Sequence, residues 1–270
     1  MEIRSLKFVY FSPTGTTKRI VEAIAQGIDH MAAEIVDITT PEGRNRQLQA
    51  SGDELLLIGA PVYFGRVQTD AIEWFRTIKA HNTPAVCVVM YGNREYDDAL
   101  LELRDTAVKA GCLPVACGAF IGEHSFSGVE TPIAPGRPDA DDLSCAMSFG
   151  RKIKEKISAL QSIGHVAAIT VPGNDPYKDM QESRKRLSGI EFIAVDDSCV
   201  QCGACAQHCP VGAIDPENSA SIDREKCIVC NGCIKVCPQH ARKISSDMIM
   251  NIALQLSRTC QARKEPVYFL

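Results

Sequence analysis

The chain has 270 residues, 45% of them hydrophobic and 23% charged, which is ample for a buried core and fits one ordinary domain plus a small one. Its 29 Lys and Arg against 33 Asp and Glu give a formal net charge of −4, so there is no electrostatic footprint for nucleic acid or for an anionic membrane. The opening residues enter a strand pattern without an apolar h-region or cleavage site, and no apolar run approaches the ~18 residues of a membrane span, so a cytoplasmic protein without a signal peptide is expected.

Short continuous apolar runs over 6–11, 55–60, 85–91 and 113–121, with a weaker one at 34–37, read as buried parallel strands. Apolar periodicity predicts helices over 16–30, 68–80, 97–110 and 139–163. Strand and helix alternate, which implies right-handed crossovers and an α/β doubly wound parallel sheet with helices on both faces. Five strands fit the order 2-1-3-4-5, whose ligand site lies at the carboxyl ends of strands 1 and 3. This first domain spans 1–163. From 164 to 190 the periodicity is lost while Pro, Gly and charge accumulate, as in a connector. A small cysteine-rich α+β domain over 191–244 follows. The tail, 245–270, contains a helical stretch expected to dock on one of the two domains.

Strand 1 ends in Ser12-Pro13-Thr14-Gly15-Thr16-Thr17, where the first helix begins. Glycine permits close backbone approach, the hydroxyls are neutral donors, and the helix N-terminus favours an anion. Any one of these residues alone would pass for an ordinary N-cap; four hydroxyls around one Gly point to a phosphate cradle. The spacing is neither that of a Walker loop nor G-x-G-x-x-G, so direct use of NAD(P)H is not indicated. Near the other end, Cys199, Cys202, Cys205 and Cys209-Pro210 repeat 28 residues later as Cys227, Cys230, Cys233 and Cys237-Pro238. Both runs are spaced C-x2-C-x2-C-x3-C-P, the bacterial ferredoxin spacing for cubane clusters. A zinc site would leave the third and fourth cysteines of each run without use. Of the 13 cysteines, the five outside the runs (Cys87, Cys112, Cys117, Cys145, Cys260) read as small buried hydrophobes in a reducing compartment.

The hydroxyl loop is similar to the [ST]-x-T-G-x-T phosphate loop of flavodoxins, and the region around Cys199–Pro238 resembles bacterial two-cluster ferredoxins. Together the chain resembles the flavodoxin–ferredoxin fusion proteins. The resemblance implies non-covalent FMN held by three loops: Ser12, Thr14, Gly15, Thr16 and Thr17 on the phosphate; Pro61, Val62, Tyr63 and Phe64 after strand 3; and Gly92, Asn93, Arg94 and Tyr96 after strand 4. Tyr96 is expected on one face of the flavin ring and Tyr63 or Phe64 on the other, as stacking buries a large flat surface. It also implies two [4Fe-4S] clusters in which the fourth ligand crosses over: Cys199, Cys202, Cys205 and Cys237 hold one, Cys227, Cys230, Cys233 and Cys209 the other.

The chain departs from ordinary flavodoxins by carrying Arg66 and Arg94 in the flavin loops, where a cation near the ring would favour the reduced anionic form. His124, after strand 5, is a candidate hydrogen-bond donor or proton-transfer group alongside Tyr96. Trp74 reads as core packing, and His208 and His240 lie outside ligand spacing. The second cysteine run continues Gln239-His240-Ala241-Arg242 where the first has Val211-Gly212-Ala213-Ile214, a difference that bears on exposure at one cluster. The resulting expectation is an electron-transfer flavoprotein working with redox partner proteins; the alternative is an FMN-dependent reductase of a small organic substrate fed by its own clusters.

Overall fold

The computed structural model describes residues 3–29, 33–160, 167–180 and 187–270. Strands β1 (Ser5–Tyr10), β2 (Ala33–Asp37), β3 (Glu54–Tyr63), β4 (Thr83–Tyr91) and β5 (Cys112–Ile121) pair in parallel in the order 2-1-3-4-5. Helices α1 (Thr16–Ile28), α2 (Thr69–Phe75), α3 (Ala99–Lys109) and α4 (Ala140–Ala159) cover the two faces. Strand side chains alternate between the faces with period two. Val9, Phe11, Leu56 and Ile58 therefore pack with Trp74, Phe75 and Leu103, while Leu6, Phe8, Leu57 and Val88 pack with Ile20, Ile24 and Phe149. Trp74 is core, as expected, and its indole N–H donates to the Arg44 carbonyl at 3.1 Å.

Two expectations about elements need correcting. The helix predicted over 68–80 stops at Phe75, because Lys79–Ala80 leaves the helical path to pair in parallel with Gln49–Ala50. There Lys79 N donates to Leu48 O at 3.0 Å and Ala80 N to Ala110 O at 2.9 Å, bonds that a continued helix would forfeit. The ends of the predicted helices at His30 and at 161–163 fall outside the described residues. The stretch expected as a connector is pinned along α3: Asp98 accepts from Asn174 N at 2.8 Å and Lys178 N at 2.6 Å, Tyr177 donates to Asp105 at 2.6 Å, and Ile169 and Val171 enter the core.

In the cysteine-rich part, β6 (Ile193–Val195) pairs antiparallel with β7 (Arg242–Ile244), and the one-turn helices α5 (Ala204–Gln207) and α6 (Gly232–Lys235) each carry the third cysteine of a run. The tail forms α7 (Asp247–Thr259), capped by Ser246, and then β8 (Val267–Phe269). The expectation of a helical tail resting on one domain missed this strand: β8 pairs antiparallel with β5, Val267 opposite Ala119 and Phe269 opposite Cys117. Meanwhile Ile249 and Ala253 of α7 share a core with Phe126 and Ile133 of the first domain and with Phe192, Ile193 and Val229 of the second. The tail thus touches both.

Helices α1 and α4 meet at two glycines. A Cβ on Gly150 would stand 2.2 Å from Ile24 O, and one on Gly27 would stand 2.0 Å from Met147 O. Backbone cannot yield there as a side chain could. Gly150→Val is therefore expected to force the helices apart and destabilise the fold by about 1–3 kcal/mol, read as a fall in the denaturation midpoint.

Candidate cofactor site

At the carboxyl end of β1 the chain turns through Gly15 in the left-handed region (φ 79°) into α1, whose N-cap makes no side-chain hydrogen bond among the described residues. The N–H groups of Thr16 and Thr17 in its first turn can therefore serve an anion. Ser12 is committed elsewhere: its hydroxyl accepts from Lys18 N at 3.0 Å, while its own N–H donates to Thr39 Oγ1 at 2.9 Å. These bonds hold the loop open. Thr14 Oγ1 and Thr16 Oγ1 stand 3.4 Å apart, and Pro13, Thr14, Thr16 and Thr17 line a cavity of about 270 Å³.

The same cavity collects Pro61, Val62, Tyr63 and Phe64 from the end of β3, then Tyr91, Gly92 and Arg94 after β4, then Glu123, His124, Ser125 and Phe126 after β5. Topology brings them together, since parallel strands put all their carboxyl-end loops on one edge. Several residues anticipated there are placed elsewhere. Ser12 and Gly15 shape the hydroxyl loop without lining the cavity, and Asn93 turns to the tail, donating to Cys260 O at 2.8 Å and Ala262 O at 2.9 Å. Tyr96 is also off the wall: its ring tilts against Tyr91, centroids 5.5 Å apart, and packs on the core. The apolar interior outcompetes the cavity for that ring. Arg66 is fixed by a bidentate pair with buried Glu102 at 2.5 and 2.8 Å and stacks on Tyr177, so only Arg94, paired with Asp97, remains at the wall.

His124 lies on the third loop because Gly92 has no side chain; a Cβ there would stand 2.3 Å from the imidazole. Its Nδ1 accepts from Phe126 N at 3.0 Å, which leaves the neutral ring's proton on Nε2. Burial, together with the charges of Arg94 and Lys235, holds its pKa down at about 4. The ring is therefore a neutral donor near pH 7.

The remaining wall comes from the far end of the chain and was not anticipated. Leu187, Ile228, Val229, Ile252 and Leu256 close the cavity with apolar surface. Ile228 and Val229 are the two residues between Cys227 and Cys230. The approach is tight: Gly232 abuts Pro13 O, His208 Nε2 bonds that oxygen at 2.7 Å, Asn231 donates to Ser125 O at 2.8 Å, and Lys235 pairs with Glu123 at 2.6 Å. His208, outside ligand spacing in the sequence, thus joins the two modules.

The eight run cysteines surround two smaller cavities. One is lined by Cys199, Cys202, Cys205 and Cys237, the other by Cys209, Cys227, Cys230 and Cys233. Each set draws three cysteines from one run and the fourth from the other, a donor set that suits an iron–sulfur cubane. Backbone N–H groups already point at sulfur, Ala213 N to Cys209 Sγ at 3.2 Å and Gly232 N to Cys230 Sγ at 3.5 Å. Cys87, Cys112 and Cys117 are buried in the sheet core, whereas Cys145 and Cys260 are half-buried.

Residues 8–128 match the family model of the flavodoxin domain, and residues 198–242 match that of the 4Fe-4S dicluster domain. Ferredoxin Fdx8 of Sorangium cellulosum is 46% identical over 45 residues, 17% of this chain; the chain spans 42% of that relative's length. Among solved structures, the flavodoxin of Streptococcus pneumonia TIGR4 is 14% identical, covering 56% of this chain and 99% of its own with a TM-score of 0.38. The Flv1 flavodiiron core of Synechocystis sp. PCC6803 is 16% identical, covering 58% of this chain and 36% of its own, with a TM-score of 0.40. Among the described residues no helix is long and apolar enough to cross a membrane.

The His124 imidazole should titrate by NMR near pH 4 and show the Nε2–H tautomer above that. The unfolded chain takes up this proton near pH 6.5, so it binds more protons than the fold between pH 6.5 and 4, and stability should drop through that window as pH falls. His124→Gln should flatten that part of the stability profile. The crossed cysteine sets make a second prediction: Cys209→Ala should cost the cluster held by Cys227, Cys230 and Cys233, and Cys237→Ala that held by Cys199, Cys202 and Cys205. Iron and acid-labile sulfide should fall by about half in each, with hyperfine-shifted cysteine signals identifying the survivor.

Proposed function

We propose that this chain, in which a flavodoxin domain is joined to a 4Fe-4S dicluster domain, is an electron carrier. On this reading it couples two-electron chemistry at FMN to one-electron transfer through two [4Fe-4S] clusters and exchanges electrons with redox partner proteins. The observation that supports it best is the position of Ile228 and Val229, which belong to a cysteine run and also line the cavity of the hydroxyl loop. FMN supplies a two-electron centre when bound, and the clusters supply one-electron centres.

The chain's own residues supply the rest. Thr14 and Thr16, with the open N-terminus of α1, offer donors to a phosphate. Tyr63 and Phe64 offer aromatic surface, and the half-buried His124 a neutral N–H donor. Leu187, Ile228, Val229, Ile252 and Leu256 exclude water from one side, which favours transfer through the protein over reaction with a solute. Linkage in one chain keeps one carrier at high effective concentration beside the other.

A second reading, reduction of a small organic substrate, draws support from an adjoining cavity of about 240 Å³ lined by Tyr63, Phe64, Gln68, Asp70 and Lys226. The carrier reading is preferred because the cover over the first cavity is apolar and carries no group suited to protonate a substrate.

Heat-released flavin from anaerobically purified protein should chromatograph as FMN. Reducing the clusters with a one-electron donor should bleach the flavin at a rate independent of protein concentration. A rate proportional to concentration would show transfer between molecules, and sustained oxidation by a small organic compound without a partner protein would favour the reductase.

A further inference from the structure

Among the described non-glycine residues with positive φ, Val229 is the β-branched one, at φ 56°. Two heavy atoms on its Cβ crowd the backbone in the left-handed region, which makes valine one of the residues least suited to it. The cysteine run imposes the conformation. Gln201, at the same place in the first run, has φ 53°, and the N–H of Val229 is directed at the Cys227 sulfur. The choice of side chain is a separate matter, and here the two runs part. Gln201 is exposed, and its amide oxygen accepts from Ser219 N at 2.8 Å. Val229 is only 7% exposed and lines the cavity of the hydroxyl loop.

The packing neighbours of Val229 are themselves cavity wall: it shares an apolar cluster with Phe126 and Leu187, and both line the same cavity. Together with Tyr63, Phe64, Leu187 and Ile228 it also lines the adjoining cavity, so these residues are wall common to the two spaces. Phe64 is left-handed as well, at φ 57°, and precedes Gly65, at φ 85°, in the two-residue turn between the paired Tyr63 and Arg66. Such a turn position ordinarily takes Asn, Asp or Gly. Two apolar residues, one from each module, thus hold costly backbone conformations in one wall. Positions of this kind persist where the surroundings over-determine them, and they gather at ligand clamps.

We propose that Val229 is a flavin-contacting residue supplied by the cysteine-rich module: its backbone serves the cysteine run, and its isopropyl group packs on the ring of bound FMN. The proposal rests on the FMN reading above and extends it, since the flavodoxin domain alone then lacks part of the binding surface. A left-handed valine is the cost of presenting an apolar group at a place where the loop demands positive φ; glycine would suit the backbone and leave that part of the wall bare. The shortest path between the ring and the cysteine set of Cys227 then runs through one residue, whose N–H faces sulfur and whose methyl groups face the flavin.

The test is an anaerobic titration of FMN into the flavin-free full chain carrying its iron and sulfide, followed by quenching of flavin fluorescence. Val229→Gly should raise the Kd for FMN about tenfold, the effect of losing the apolar contact of one valine side chain. The denaturation midpoint of the flavin-free protein should move little, because glycine takes the left-handed backbone without penalty and offsets the lost packing. Gln201→Gly, the same change at the matching place in the first run, should leave the Kd as it is. An unchanged Kd in Val229→Gly at full iron and sulfide content overturns the proposal, and a lowered midpoint beside that unchanged Kd would identify Val229 as core packing only. Equal weakening by Gln201→Gly also overturns it, since the effect would then be a general loosening of the module. A crystal structure of the FMN-loaded chain with no Val229 carbon within about 4.5 Å of the ring overturns it even if Val229→Gly fails to fold. Failure of the unaltered chain to bind FMN at all would instead overturn the FMN reading, and this proposal with it.

Discussion

Gly232 lies so near the hydroxyl loop that a Cβ on it would stand 2.7 Å from the Pro13 carbonyl oxygen, and the arrangement of the whole chain depends on this backbone approach. It sets the second cysteine run against the carboxyl edge of the sheet, so that Ile228 and Val229 become wall of the same cavity as Thr14 and Thr16. Hydrogen bonds from His208 to Pro13 and from Asn231 to Ser125, and the bond from Arg44 to Pro210 O at 2.5 Å, surround the contact. Each is local and modest in net energy. Together they fix orientation, which apolar contact alone does not.

The tail converts that contact into a single tied unit. Helix α7 contributes Ile249 and Ala253 to a core built from both modules, and β8 then closes on the outer edge of β5. Between them Asn93 accepts from Lys264 N at 3.3 Å and donates to two tail carbonyls, while Arg137, held by buried Asp142, donates to Lys264 O at 2.7 Å. A side chain of the loop after β4 is thereby spent on holding the tail, and a strand edge that would otherwise be open is covered. The residues that shape the cavity and those that secure its cover are partly the same.

Charge is distributed with similar economy. Arg66 and Glu102 form a pair with little exposure, which also accepts from Val67 N at 3.0 Å and so fixes the turn after β3. That pairing ties down one of the two arginines of the loops at this edge, while burial and the charges of Arg94 and Lys235 keep His124 uncharged near neutral pH. In the cysteine-rich part the buried Arg242 lines the cavity of Cys199, Cys202, Cys205 and Cys237 and also bonds Cys233 of the other set. The two runs share their cysteines and prolines but surround them with different side chains.

Sequence alone determined whatever is decided within a few residues of chain: the five parallel strands, whose apolar runs are continuous because both faces are covered; the hydroxyl loop at the end of β1; and the two cysteine runs, whose spacing is itself the geometry of a cubane's corners. It also indicated the edge of the sheet on which a ligand would sit, since that follows from parallel order. Only the tertiary structure decided which side chains occupy that edge. Tyr96 was drawn to the core and Asn93 to the tail, although both lie in a loop whose composition suits a ring or a phosphate. Leu187, Ile252 and Leu256 read as ordinary apolar residues of a connector and a helix, and nothing local marks them as cover for a cavity built from loops far earlier in the chain. The strand β8 is three residues long, too short to carry a periodic signal, and exists because β5 presents unpaired backbone to it. Long-range contacts choose among local possibilities that propensity and spacing leave equal in energy, and that choice is made by packing.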